Sequence, residues 1–323
     1  MWLRQWLMLC VWCAVFASGT ASAQTWPTKP VKLIVAYPPS GTTDIAGRLL
    51  AERLSTNLGQ QVVVENRAGA GGMIGAQSVV RADPDGYTLL LAASPEVSIA
   101  PVTVKAMQYD PQKDLQPIAL VGQVPFLLVT SPNFPPGTVA ELVAYAKANP
   151  DKVNYSSFGN NTSSHLAGEL FKVTAGIKTT HVPYKGSGPS IIDVMGGQIQ
   201  YTFDAPAAVL AQVQAGKLKA IAVATNRRLA SAPAVPTMAE AGMPGVTGGT
   251  WFGLLAPAKT PRAVIDRINA ATLAALNAPD FRKTFEDRSI APGGGTPEDF
   301  GRFIAGEITK WQQLASTVGI KPE

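Results

Sequence analysis

Two short polar stretches carry most of the chemistry in this sequence. The first is Pro38-Pro-Ser-Gly-Thr-Thr-Asp44; the second is Phe158-Gly-Asn-Asn-Thr-Ser-Ser164, followed by His165. Both are rich in glycine and hydroxyls, and neither holds Lys or Arg. Placed between a strand and a helix, such a stretch aims unpaired backbone N–H groups and the positive end of the helix dipole at one point. That is anion-binding geometry, with each contact contributing about 0.3–2 kcal/mol. Amides and hydroxyls without a fixed cation suit a small carboxylate better than a polyphosphate. The candidate ligand groups are therefore Ser40, Gly41, Thr42 and Thr43, and Gly159, Asn160, Asn161, Thr162 and Ser163, with Gly41 offering its backbone N–H. Each has a plain alternative: a hydroxyl before a helix is a cap, and a glycine there makes the turn.

Four more residues stand close to these in the pattern. Ser94 and Glu96 follow an apolar run, and Glu96 is either a helix-start carboxylate or a specificity residue favouring a neutral or cationic distal group. His165 falls in a first helical turn, as a packing side chain or a ligand contact. Metal binding there would need partners the stretch lacks. Asp204 ends an apolar run beside Phe203, to accept from a ligand or a bound water, or to cap the helix at Pro206.

Catalytic machinery is sparse. The histidines are His165 and His181, and the cysteines are Cys10 and Cys13. Gly-x-Ser-x-Gly and Gly-Lys-Ser/Thr are absent. The run Asn66–Gly75 misses the dinucleotide fingerprint, because Ile74 stands where the last glycine belongs. A binding protein without chemistry is the leading reading. A cleft hydrolase working with carboxylates alone is the alternative, and retention of ligand without turnover separates the two.

The N-terminus reads as a secretory leader: Arg4, an apolar stretch over Leu7–Ala17, then Ala21-Ser-Ala23. Cleavage after Ala23 would leave 300 of the 323 residues, starting at Gln24, and would place the protein in the periplasm. Both cysteines leave with it, so disulfides and thiol chemistry are excluded from the mature chain. Losing Arg4 lowers the formal net charge from +5 to +4. The basic residues are scattered, which argues against nucleic acid.

The elements that must position these groups follow from periodicity. Val31–Tyr37 is a short buried strand, broken by Pro38, Pro39 and Gly41, and Ile45, Leu49, Leu50, Leu54 and Leu58 make a helix closed by Gly59. Gln61–Glu65 and Tyr87–Ala92 are further strands, with a helix over Ala76–Ala82. Strand, helix, strand, helix, strand implies a parallel sheet with ligands beyond its carboxyl ends. The pattern restarts after Asn149-Pro150: strand 153–156, helix 165–174, strand 179–184, helix 190–195, strand 200–203, helix 206–215 and strand 218–224. Strand 251–256, a helix after Thr260-Pro261 and a last helix from Thr296 return to the first unit.

Several of these runs resemble one family. Pro38–Asp44, Val62-Val-Val-Glu-Asn-Arg-Ala-Gly-Ala-Gly-Gly72, Pro84-Asp-Gly-Tyr-Thr-Leu-Leu90, Gly159–Leu166, His181-Val-Pro-Tyr-Lys-Gly186 and Pro236-Thr-Met-Ala-Glu-Ala-Gly242 look like the Bug-type, TctC-like substrate-binding proteins of tripartite tricarboxylate transporters. The likeness spans nearly all of Trp26–Ile320 in family order. It departs at Ser40-Gly41, where Gly-Gly is common, at Ser94-Pro-Glu96, and at Asn160-Asn161. The resemblance implies an α/β, two-lobed periplasmic binding protein of type II, or Venus flytrap, topology, each lobe a mostly parallel sheet flanked by helices. The expected boundaries are a signal peptide at 1–23, lobe 1 at 24–124 plus 251–323, and lobe 2 at 125–250. A small organic carboxylate is held by the two polar loops, without cofactor or metal. The partners are membrane transporter subunits or, if the loaded form is a signal, a sensor receptor. The protein itself is expected to be a monomer.

Overall fold

The computed structural model describes residues 26–150 and 152–322; the leader expected over 1–23 lies outside them. Eleven strands form two sheets among the described residues. β1 (Val31–Val35), β2 (Val62–Asn66), β3 (Thr88–Ala93), β4 (Leu115–Pro125), β10 (Gly249–Pro257) and β11 (Ala291–Gly294) make the first, in the order β11-β4-β10-β3-β1-β2. β5 (Leu127–Thr130), β6 (Asn154–Ser157), β7 (Thr180–Pro183), β8 (Tyr201–Asp204) and β9 (Lys219–Val223) make the second, in the order β7-β6-β8-β5-β9. Helices of eight or more residues flank them: α1 (Thr42–Leu58), α2 (Met73–Val80), α3 (Val139–Ala148), α4 (Ser163–Ala175), α5 (Ser187–Met195), α6 (Pro206–Gln214), α7 (Arg262–Asn277), α8 (Pro279–Glu286) and α9 (Pro297–Val318).

The pairing follows from the connections. Strands joined through helices run parallel, β1 with β2 and β3, and β6 with β7 and β8. The strands that carry the chain between lobes run antiparallel to their neighbours, as in β10 with β3 and β4, and β5 with β8 and β9. Both sheets are therefore mixed. The long strand β4 is hard to read from the sequence because Pro117 interrupts its apolar pattern; β11 is a four-residue edge strand, Ala-Pro-Gly-Gly, with no apolar signal.

Burial explains the first unit. Val31, Leu33 and Val35 are fully buried, because helices cover both faces of the sheet. Leu50, Leu54 and Leu58 fall on one side of α1, which closes at Gly59 in the left-handed region (φ 72°). Gly47 lets that helix lie close to the sheet, since a Cβ there would come within 2.9 Å of Val35.

The chain crosses between the sheets at Phe126 and again at Gly248–Gly249. Three bonds tie the crossings together: Phe126 N–H to Gly248 O (3.0 Å), Gly248 N–H to Ala224 O (3.0 Å) and Ala224 N–H to Phe126 O (2.8 Å). At Gly249 any Cβ would meet Val124 O at 2.4 Å. The lobes also share a core, for Leu166 of α4 packs with Trp251, Phe300 and Ile304 of the first lobe.

Candidate ligand site

In the first lobe three strand ends meet. β1 leads through Tyr37 to Ser40, which holds φ 68°, a left-handed value that non-glycine residues adopt at a cost. Ser40 N–H donates to Asp44 Oδ2 (2.9 Å), and the same carboxylate receives Arg48 Nε (2.9 Å) and, at Oδ1, Asn66 Nδ2 (2.8 Å). Burial pushes the Asp44 carboxyl up, but hydrogen bonds from Arg48, Asn66 and Ser40 outweigh it and hold it below the ordinary value. The N-cap of α1 is Gly41, extended and without a side-chain cap. Thr42 and Thr43 thus lie inside the first turn and not at the cap as the sequence suggests. Among the described residues nothing accepts from the N–H groups of Gly41, Thr42 or Thr43.

Of the two readings of Glu96, the structure agrees with the helix-start carboxylate and not with the specificity residue. Glu96 is fully buried, in a wide helical turn over Pro95–Ile99, and does not face the cleft. Oε1 accepts from Ala93 N–H (2.7 Å) and Oε2 from the Tyr37 hydroxyl (2.7 Å), while Tyr109 donates to its backbone carbonyl (2.7 Å). Burial raises its carboxyl to about 7. It joins the ends of β1 and β3 and lies against Gly72, where a Cβ would come within 2.7 Å of it. Ser94 is buried too, with its hydroxyl 3.1 Å from Thr250 Oγ1.

The second lobe repeats the plan with different partners. Gly159 (φ 145°) and Asn161 (φ 57°) turn the chain, and Thr162 caps α4 by accepting from His165 N–H (3.4 Å) and donating to Gly159 O (2.8 Å). Ser157 Oγ bonds both Gly159 O (2.9 Å) and Gly159 N–H (3.2 Å). Asn161 N–H is taken by His165 Nδ1 (3.1 Å). The N–H groups of Asn160 and Ser163 have no acceptor among the described residues. Ser164 Oγ donates to Phe203 O (2.7 Å), which locks this loop to the end of β8. There Asp204, buried, accepts from Ser187 Oγ and Ala205 N–H, and burial raises its carboxyl above the ordinary value. His165 is buried, stacked on His181 with ring centroids 3.9 Å apart.

Each lobe therefore presents a loop at a helix N-terminus over a buried carboxyl, Glu96 below one and Asp204 at the other. A 360 Å³ cavity opens between the lobes beside Thr42 and Ile45 of α1 and Pro206 and Leu210 of α6, with Ser231 and Ser289 bonded to each other (2.7 Å) across it. A larger recess of 560 Å³ lies behind the crossings, near Val124, Gly249 and Trp311, and holds none of the expected site residues. No group of three or more metal-ligating side chains occurs among the described residues.

Sequence reasoning missed Tyr37, Asn66, Ser157, His181 and Ser187 as members of these clusters. Tyr37, Asn66 and Ser157 stand at or just past strand ends, a signal open to reading under the rule that ligands lie beyond the carboxyl ends. His181 and Ser187 come from distant segments that only packing brings near.

The profile of the TctC, "Tripartite tricarboxylate transporter family receptor", group matches residues 46–320. The chain is similar to protein BugT of Bordetella pertussis, 37% identical over 305 residues and 94% of each chain. It is similar to a solved periplasmic transporter structure at 41% identity and TM-score 0.78, covering 92% of this chain and 99% of the other. A structure of R. palustris Rpa4515 with adipate matches at 36% identity and TM-score 0.79, covering 92% of this chain and 100% of that one. Matched by the family model over residues 46–320 and by BugT over 94% of its length, the chain belongs to the TctC, or Bug, family of tripartite tricarboxylate transporter receptors.

Proposed function

We propose that this protein captures a small organic carboxylate between its lobes and hands it to the membrane subunits of a tripartite tricarboxylate-type transporter. The observation that carries this reading is the set of unpartnered backbone N–H groups at the start of α1, over Gly41, Thr42 and Thr43. A buried carboxylate needs both oxygens hydrogen-bonded, and amides with hydroxyls supply that without an arginine. Ser163 and Asn160 complete the site from the second lobe. With Glu96 internal, the objection to a second carboxylate on the ligand falls away, and the adipate bound by R. palustris Rpa4515 supports a diacid. The protein works as a monomer in the periplasm after removal of 1–23, without catalysis. Its lobes, 24–124 plus 251–323 and 125–250, close about the crossings.

A sensor receptor is the competing partner, since the same loaded form would serve it. Calorimetry with adipate and its diamide tests the reading. The acid is expected to bind at least tenfold more tightly, because an amide brings donors to a site that already donates. Equal affinities for the two would remove the anion site.

A further inference from the structure

We propose that His181 is a positioning residue for ligand capture: together with His165 it clamps the 158–162 loop in its binding shape, and the clamp holds only while His165 Nδ1 carries no proton. This rests on the carboxylate reading above, but its evidence is separate.

The hydrogen bonds fix the tautomers. Asn161 N–H points at His165 Nδ1 (3.1 Å), so that nitrogen is an acceptor and the proton sits on Nε2. Ser157 has one hydroxyl proton, directed at Gly159 O (2.9 Å), and its oxygen accepts from Gly159 N–H (3.2 Å). Its contact with His181 Nε2 (2.7 Å) must then be donated by the ring. His165 is thus neutral with its proton on Nε2, and His181 carries a proton on Nε2. His181 thereby holds Ser157, which holds Gly159 at one end of the loop, and braces His165, which holds Asn161 in the middle.

The bracing is a column of rings. His165 and His181 stack at 3.9 Å with planes 13° apart; His181 lies on Tyr155 (4.9 Å), and Tyr155 on Tyr201 (5.4 Å). Asn161 sits at φ 57°, in the left-handed region that Asn tolerates better than most residues, and its N–H bond to His165 selects it there.

Protonation undoes this arrangement. A proton on His165 Nδ1 turns the acceptor into a donor facing the Asn161 N–H. Two cationic rings stacked face to face would also repel. The fold resists that charge. Burial lowers His181 first, with neighbouring His165 and Lys172 adding to it, to about 3, and burial lowers His165 too. The charged groups acting on the pair are Glu169 and Lys172 of α4. Lys172 Nζ and the Tyr155 hydroxyl both bond the Glu169 carboxylate, at 2.7 and 2.6 Å. From β6 and β8 the facing groups are the phenols of Tyr155 and Tyr201, which burial keeps protonated.

The full mature protein and three variants test this, with adipate as probe. His181→Ala removes stack and bond, His181→Phe keeps the stack, and His181→Gln keeps a donor for Ser157. At pH 7.5 His181→Ala is expected to lose about tenfold in affinity, the loss of one well-made support to a charged ligand's donors. His181→Phe and His181→Gln should each recover part of it. The pH profile separates positioning from mere folding: in His181→Ala the fall of affinity on acidification begins closer to neutral, because His165 regains solvent, while His181→Phe keeps the original profile. Amide spectra in the absence of ligand should show Asn161 and Gly159 displaced in His181→Ala. Unchanged affinity, profile and loop amides would overturn the proposal. If the unmodified protein binds no adipate, the carboxylate reading is what fails. The Asn161 and Gly159 amides and the imidazole tautomers, read by nitrogen-15 spectra, then decide the clamp, and a proton on His165 Nδ1 at pH 7.5 would refute it.

Discussion

The two candidate ligand loops are held in shape by opposite means. The first, 37–43, is shaped from below: Asp44 and Glu96 grip its ends, and the amides of Gly41, Thr42 and Thr43 are left without partners. The second, 158–163, is shaped from within: Thr162, Ser157 and His165 bond the loop's own backbone. An open loop spends little of its hydrogen-bonding capacity on itself and keeps it for a ligand. A loop that bonds its own backbone, with the Asn160 and Ser163 N–H groups left open, is stiffer before the ligand arrives, so less ordering entropy is lost on binding. Mutations in the first should therefore register mostly in affinity, and those in the second mostly in stability, unless they strike the support beneath.

The largest expected effect is at that support. Asp44→Ala frees the Ser40 N–H and one N–H of Asn66, which keeps its bond to Tyr37 O, and leaves Arg48 with Asn66 Oδ1 but no carboxylate. Loss of a buried, triply bonded carboxylate is expected to cost about 2–4 kcal/mol in chemical denaturation and to abolish tight binding. Asp44→Asn keeps the volume but turns one oxygen into a donor, and should fall between Asp44→Ala and the unmodified protein. Equal stability in all three would mean that the first loop, like the second, holds its own shape.

The buried carboxyls sharpen the contrast through pH. Glu96 has a folded value of about 7 against an ordinary 4.5. Between those values the folded state binds more protons than the unfolded chain, so this group lowers stability as pH rises through the window. Glu96→Gln keeps an acceptor for Ala93 N–H and a polar partner for Tyr37, and removes the ionisation. It should raise stability at pH 8 by roughly 2–3 kcal/mol and change little at pH 4.5. The stacked histidines work the other way. Their folded values lie below the ordinary 6.5, so the unfolded chain takes more protons at acid pH and stability is lost as pH falls below that value. Thermal melts of Glu96→Gln from pH 4.5 to 8 check the first part, and a difference that does not grow with pH would contradict it.

Strand, loop and helix order was legible because the apolar runs and their breakers are local. Thr296 reads correctly as the start of α9, and Thr162, a ligand candidate in the sequence, takes the capping alternative before α4, each needing only residues three apart. Where the sequence misled, the decisive contact was remote. Glu96 can be read as a specificity residue until Tyr37, Tyr109 and Gly72 close over it from other segments. His181 reads as one histidine in an edge strand until α4 lays His165 on its face. Thr42 and Thr43 read as caps because the hydroxyl pattern fits, but Gly41 takes the extended N-cap position and pushes both into the first turn.

The smallest expected effects test the comparison most directly, through one substitution applied to both loops. Thr42→Val and Thr162→Val each replace a hydroxyl by a methyl with little change in shape. Thr42 has no side-chain bond to lose, so its stability should stay within about 0.5 kcal/mol. If its hydroxyl meets a carboxylate oxygen, removing it strands a charged acceptor at roughly 1–3 kcal/mol, about ten- to hundredfold in affinity for adipate. Thr162 loses its bonds to His165 N–H and Gly159 O, and an N-cap of this kind is worth about 1 kcal/mol of stability. Its affinity loss should be smaller than that of Thr42→Val, arising only from a softened loop. Denaturant melts and calorimetry on the pair give four numbers. If Thr162→Val costs more affinity than Thr42→Val, the hydroxyl of the capping loop is the one that grips the ligand, and the division of labour between the lobes is the reverse of the one drawn from the bonds.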